Sequence, residues 1–417
     1  MRVGFLKLRE DVARLVFVDP LVAVISAFAL LAVLVYRRVS LDITLISTAF
    51  FLAFLSMEPA GILDVFVDTA LSPVTLSLVG ASLGIMLLSQ LYKETGKVYD
   101  LSRSLSEIVR NSKFIVSVLP AVIGLLPVAG GALMSAPLIE AEADNLGMNG
   151  QKKAYVNVWF RHTIFPVYPV SQVLILLSAL TGVSLSFVIY RQIPVVLAMV
   201  VVGYLLGLWR TRKQPNRRDE SKDSNGRNLK VFLTAFSPIL VMIVVVIAFG
   251  LDVFTASLIG LALLMLVTKP SLGALRGTFG NPAVYRIALA AFGAMLLRNI
   301  TINSGVAEVI GSLIANGQVN ESILLSAVPA VLAFLVGSPS GGIAITVAML
   351  ETVLEFTPKT ASLLYSAAYL GYVGAPTHLC LVLTAEYFKT SLTKIYKYMV
   401  PSLAVSFAAA ILVYFLI

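Results

Sequence analysis

The sequence predicts an all-α, polytopic membrane protein made of two inverted-topology repeats, each of five transmembrane helices plus one re-entrant helical hairpin. Composition, an internal repeat and the placement of charge carry this reading. Of 417 residues, 58% are hydrophobic and 13% charged, with a mean hydropathy of +0.92, against roughly 45–50% apolar and 25% charged in soluble domains. The repeat is visible by eye. Leu119-Pro120-Ala121-Val122 runs into Pro127-Val128-Ala129-Gly130-Gly131, and in the second half Val328-Pro329-Ala330-Val331 runs into Gly337-Ser338-Pro339-Ser340-Gly341-Gly342. A pair of Gly/Pro interruptions in corresponding apolar segments is the sequence mark of a secondary transporter's midplane site.

Residues 1–19 form an N-terminal segment whose basic residues Arg2, Lys7, Arg9 and Arg14 suit an amphipathic interfacial helix. The first repeat, 20–209, has apolar runs of roughly spanning length at 20–36, 43–63, 74–91, 163–189 and 193–209. The second, 231–417, has them at 231–250, 254–268, 283–302, 360–386 and 400–417. A broken segment follows the third run of each set, at 114–139 and 324–354. Leu21 then falls against Val231, Val74 against Ala283, Gly130 against Gly341 and Pro169 against Pro376. The polar stretch 210–230 is the linker. Leu101 to Ser112 alternates apolar and charged residues at helical spacing, as a helix lying on the inner membrane surface would; Val306 to Ala315 is its outer counterpart.

An odd number of spans per repeat turns the second repeat upside down relative to the first. With the N-terminus outside, Arg37, Arg38, the stretch Lys93 to Lys113, Lys152, Lys153 and the basic residues of 210–230 are cytoplasmic, as are Lys269, Arg276, Arg286, Lys389, Lys394 and Lys397. That is the positive-inside pattern, and it predicts a multi-pass plasma-membrane protein in contact with the lipid bilayer. It also accounts for the net charge of +9 without a nucleic-acid partner. The first apolar run lacks a small-residue cleavage site and reads as a retained span. Cys380, the only cysteine, allows no intrachain disulfide.

The candidate site residues gather at the breaks. A helix broken inside a membrane frees backbone groups that lipid cannot satisfy, so breaks persist only when buried or lining a wet cavity. There, half-helix N-termini attract anions and freed carbonyls hold cations. Pro127, Gly130 and Gly131 mark one hairpin tip; Ser338, Pro339, Ser340, Gly341 and Gly342 mark the other; Ser135 and Thr346 add hydroxyls just beyond. Phe165-Pro166-Val167-Tyr168-Pro169 and Gly374-Ala375-Pro376-Thr377-His378 interrupt the spans that follow, with Ser171 near the position matching Thr377. Gly and Pro also serve close helix packing and kinks, which is the alternative account of all four breaks. Arg161 and His162, just before the first break, and His378 in the second are intramembrane ionisable residues, suited to neutralising an anion and carrying a proton; the competing account has Arg161 snorkelling to the cytoplasmic interface. Arg298 lies outside these elements and reads as scaffold. The absence of G-x-S-x-G, H-E-x-x-H and Walker A patterns argues against an enzyme or an ATP-driven pump.

At Gly130-Gly131-Ala132-Leu133, Asn157-Val158-Trp159-Phe160-Arg161-His162, Gly337-Ser338-Pro339-Ser340-Gly341-Gly342 and His378-Leu379-Cys380-Leu381-Val382-Leu383-Thr384, the chain resembles an uncharacterised family of archaeal and bacterial integral membrane proteins. That family looks like a branch of the ion transporter superfamily, beside divalent anion/sodium symporters and citrate-metal, gluconate and arsenite permeases. The divalent-anion branch carries Ser-Asn-Thr motifs at its tips, where this chain has Pro127-Val128-Ala129-Gly130 and Ser338-Pro339-Ser340-Gly341. The resemblance implies a homodimer in which a transport unit, the hairpins with spans one, four, five, six, nine and ten, moves past a scaffold of spans two, three, seven and eight. The expected function is cation-coupled (sodium or proton) secondary transport of a small anion or polar solute by an elevator motion. An inorganic ion/proton antiporter and a non-transport membrane scaffold are the alternatives. No organic cofactor is expected; a sodium ion is expected near Gly130, Gly131, Ser338, Ser340 and Thr377.

Overall fold

A computed structural model describes residues 18–37, 39–108, 111–125, 131–211, 225–303, 320–351 and 354–417, and among these helix is the only extended regular structure. Among the described residues, seven helical segments are long and apolar enough to cross a membrane, beginning with Pro73–Glu94 and Gly150–Thr181 and ending with Pro358–Tyr387 and Leu392–Leu416; six further apolar helices are shorter. This is a multi-pass helical membrane protein. The readings made for residues 1–17, for 212–224, for Val306 to Ala315 and for the tip residues Pro127 and Gly130 lie outside the described residues.

The first half consists of α1 (Pro20–Tyr36), α2 (Leu41–Ser56), α3 (Pro59–Leu71), α4 (Pro73–Glu94), α5 (Lys97–Ile108), α6 (Ser112–Gly124), α7 (Gly131–Asn145), α8 (Gly150–Thr163), α9 (Gln172–Thr181) and α10 (Leu185–Gly207). The second half consists of α11 (Asn225–Phe249), α12 (Val253–Thr268), α13 (Leu272–Phe279), α14 (Pro282–Asn303), α15 (Glu321–Val336), α16 (Pro339–Leu350), α17 (Pro358–Gly374), α18 (Leu379–Tyr387) and α19 (Leu392–Leu416). Local chemistry sets the boundaries. Asn111 and Asn149 cap α6 and α8 by accepting from backbone N–H groups of the first turn. Thr357 and Thr360 form a capping box, with Pro358 at the first helical position of α17. Gly182 and Gly337, both at positive φ, close α9 and α15.

Three boundaries differ from expectation. The run 43–63 divides into α2 and α3, because Glu58 is extended and Pro59 starts a new helix. The broken span begins at Gly150 rather than near residue 163, because Lys152, Lys153, Asn157, Arg161 and His162 depress its hydropathy while tertiary packing buries most of the helix. Asn225 already opens α11, inside the stretch 210–230 read as linker.

The packing repeats as the sequence does. α2 packs on α14 and, at the equivalent place, α12 on α4; α6 with α8 matches α15 with α17; α8 with α19 matches α17 with α10. Each hairpin's second helix lies on the half-helix after the break of the opposite half, α7 on α18 and α16 on α9. Small residues allow the closest approaches: Gly84 of α4 meets Ser257 of α12, and Gly293 of α14 meets Leu45 and Ile46 of α2. The match is incomplete. α16 packs on α14 and α9 on α4, whereas α7 on α4 and α18 on α14 show no comparable packing among the described residues. α1 lies mainly on α2, and α11 lies on α12 and equally on α5.

Candidate functional site

The second hairpin turns through Gly337 and Ser338. Gly337 has φ +68°, and a Cβ there would stand 2.7 Å from Thr377 Oγ1, so this tip touches the break of the following span. Ser338 caps α16 by accepting from Gly341 N at 3.3 Å, and Pro339 occupies the first helical position. Gly341 fits between Val336 and Leu41, and Gly342 lies against the backbone of Ala333. Both glycines therefore serve close packing of the hairpin. Thr346 donates to Gly342 O within its own helix. Ser338 and Ser340 line a cavity of about 230 Å³ with Ser40, Asp42, Ser82, Gln172 and Arg286 among its polar walls. The cavity lies between the α16 tip and α9 on one side and α2, α4 and α14 on the other.

Gly131 begins α7, whose Ser135 is buried and donates to Asn157 Oδ1 at 2.6 Å. Asn157 in turn donates to Ala132 O at 2.8 Å and lies 3.4 Å from Thr384 Oγ1, joining α7, α8 and α18 through one buried network. Asn157 and Thr384 were not singled out by sequence. An amide in the middle of an otherwise buried helix was the available signal.

Where α8 ends, Pro166 sits in a short 3₁₀ turn and Pro169 in the non-helical stretch before α9; both are buried. Ser171 caps the geometry of α9 without a side-chain cap bond. Arg161 is 2% exposed, and its backbone abuts Gly124 at the end of α6. A snorkelling arginine keeps its head in water, which this burial does not offer. Arg298 pairs with Glu351 at the end of α16.

His162 and His378 converge with Cys380, one ligating atom of each lying within 4.8 Å of the other two, all buried. His162 Nδ1 faces Val158 O at 2.7 Å and His378 Nδ1 faces Val373 O at 3.3 Å. Tyr372 packs on His378 with centroids 4.3 Å apart, and Tyr369 donates to His162 O at 2.8 Å. Pro376 and Thr377, in the same break, are exposed. The structure thus brings His162 together with His378, and Thr377 with the second tip, while Ser338 and Ser340 open on a separate cavity. Cys380 escaped sequence reasoning as a site residue, although the spacing His378-Leu379-Cys380 was its visible signal.

Residues 21–417 match the family described as protein of unknown function DUF401, and the chain belongs to that family. No curated protein matches the chain.

Proposed function

We propose that this member of the family is a cation-coupled secondary transporter of a small anion or polar solute, of the ion transporter superfamily type, working by elevator-like alternating access. The observation that carries this reading is the incomplete exchange of packing between the two halves. Among the described residues most large helix pairings of one half recur in the other, but α16 and α9 engage α14 and α4 while their equivalents do not. In two halves of inverted topology such a difference fits one end state of a motion, and exchanging the two sets of contacts gives the other. The moving unit in this proposal is α6 to α10 with α15 to α19; α2, α4, α12 and α14, with α1 and α11 on their flanks, form the scaffold and the homodimer contact.

In this reading α6–α7 and α15–α16 are re-entrant hairpins, the N-terminus is outside and residues 210–230 are cytoplasmic in the plasma membrane. The cavity at Ser338 and Ser340 supports a polar ligand, since hydroxyls, an amide and the opposite charges of Asp42 and Arg286 line it. Purified protein in proteoliposomes tests the proposal: uptake of organic and inorganic anions is measured under an imposed sodium or proton gradient. Gradient-dependent accumulation of any of them is expected. Absence of flux for all, with no anion raising the unfolding temperature, would leave the scaffold alternative.

Asp42 favours a second reading. It is a buried carboxylate on the cavity wall, the group that an inorganic ion/proton antiporter needs. Cation-driven proton efflux without any added anion would select this reading.

A further inference from the structure

The 417-residue chain has two histidines and one cysteine, and all three meet at one buried point. We propose that His162, His378 and Cys380 form a binding site for a soft d¹⁰ metal ion, zinc or copper(I).

The donor set selects the metal. Two imidazoles and a thiolate suit zinc and copper(I), while sodium, magnesium and calcium require oxygen ligands, and this cluster offers none from a side-chain carboxylate. The geometry is close to what such an ion needs. With zinc–nitrogen bonds of about 2.0–2.1 Å and a zinc–sulfur bond of about 2.3 Å, tetrahedral ligand atoms stand roughly 3.3–3.6 Å apart. The three donors, already within 4.8 Å of one another, reach that spacing by side-chain shifts of about an ångström.

The surroundings of the rings point the same way. A carbonyl oxygen only accepts, so the contacts to Val158 O and Val373 O place the proton of each imidazole on Nδ1 and leave the lone pair on Nε2. A metal-bound histidine is held in just this manner, its other ring nitrogen donating to a carbonyl. His378 Nε2 is fully buried and makes no hydrogen bond to a nitrogen or oxygen atom, while its ring interacts with the Cys380 thiol. Three protein ligands leave a fourth position open, as in zinc sites that bind a further ligand. Copper(I) bound to a cysteine thiolate is neutral, whereas zinc leaves one positive charge, so an anion at the open position would complete a zinc site.

Because His162 closes α8 and the other two ligands flank the start of α18, the ion would join the two halves. The proposal does not depend on the chain being a transporter.

Full-length protein in detergent is loaded with zinc chloride or, anaerobically, with copper(I), desalted, and analysed for metal per chain. One equivalent of zinc, of copper or of either is expected in the wild type, with a loss of at least tenfold in Cys380→Ser and His378→Gln. Retention of neither metal by the wild type, or equal retention by both variants, would overturn the proposal. Cobalt(II) loaded into the wild type gives a readout that needs no variant: a thiolate-to-cobalt charge-transfer band with intense tetrahedral d–d bands is expected, and a spectrum without the thiolate band counts against the site.

Discussion

The imidazole rings of His162 and His378 meet edge to face, with centroids 4.6 Å apart and planes at 86°, although one closes α8 in the first half and the other stands in the helix break of the second. The contact ties the two halves at the level of both breaks. Phe165, Tyr369 and Tyr372 close around His162, so water has little access to the pair, and changes here act on an enclosed polar cluster.

Asn157 is expected to matter for stability. Asn157→Leu removes the bonds to the Ser135 hydroxyl and to Ala132 O and leaves only the 3.1 Å bond between those two groups, and each lost hydrogen bond costs about 0.5–1.5 kcal/mol. A lower thermal unfolding midpoint is expected for Asn157→Leu, whereas Thr384→Val, at the long 3.4 Å end of the network, lowers it less. Equal midpoints for the two variants would contradict the assigned hydrogen bonding.

Arg161→Lys is expected to weaken stabilisation by whichever anion raises the wild-type unfolding temperature, while the protein stays folded. Lysine keeps the charge but loses the planar two-pronged donor. Thermal shift with and without the anion reads the effect, and an unchanged ligand response would remove Arg161 from the site.

Gly342→Ala is expected to destabilise the second hairpin, since a Cβ there falls 2.6 Å from Ala333 Cβ and 2.8 Å from Ala333 N. Overpacking of this kind costs about 1–3 kcal/mol. Gly273→Ala, whose Cβ meets only Ser271 Oγ at 3.7 Å, should be neutral or favourable by about 0.5–1 kcal/mol from helix propensity. A denaturation series on the two variants makes the comparison.

Asp42→Asn is expected to abolish the cation dependence of transport and to leave folding intact, because the carboxylate is the negative group on the cavity wall opposite Ser338 and Ser340. Flux measured across a sodium or proton gradient decides this. Retained coupling in Asp42→Asn would move the cation site elsewhere.

Membership of the helical class and the breaks at 165–171, 337–338 and 375–378 were legible because each depends on local chemistry. Apolar runs must become helices in a bilayer, Pro cannot donate an N–H, and Gly337 accepts a left-handed backbone. The start of the broken span was not legible. Lys153, Asn157 and Arg161 look soluble in any hydropathy window, and only neighbours distant in sequence explain their burial.

By itself, then, the order of apolar runs and punctuating Gly and Pro residues determined the helical class and the places where helices break. The tertiary structure alone decided which side chains meet: that Ser338 and Ser340 face Asp42 and Arg286 across a cavity, that Thr377 closes on Gly337, and that His162 reaches His378 and Cys380. Helix formation is set by contacts a few residues apart, whereas these meetings depend on how distant helices cross, a property that packing of complementary surfaces fixes only once the whole chain has folded.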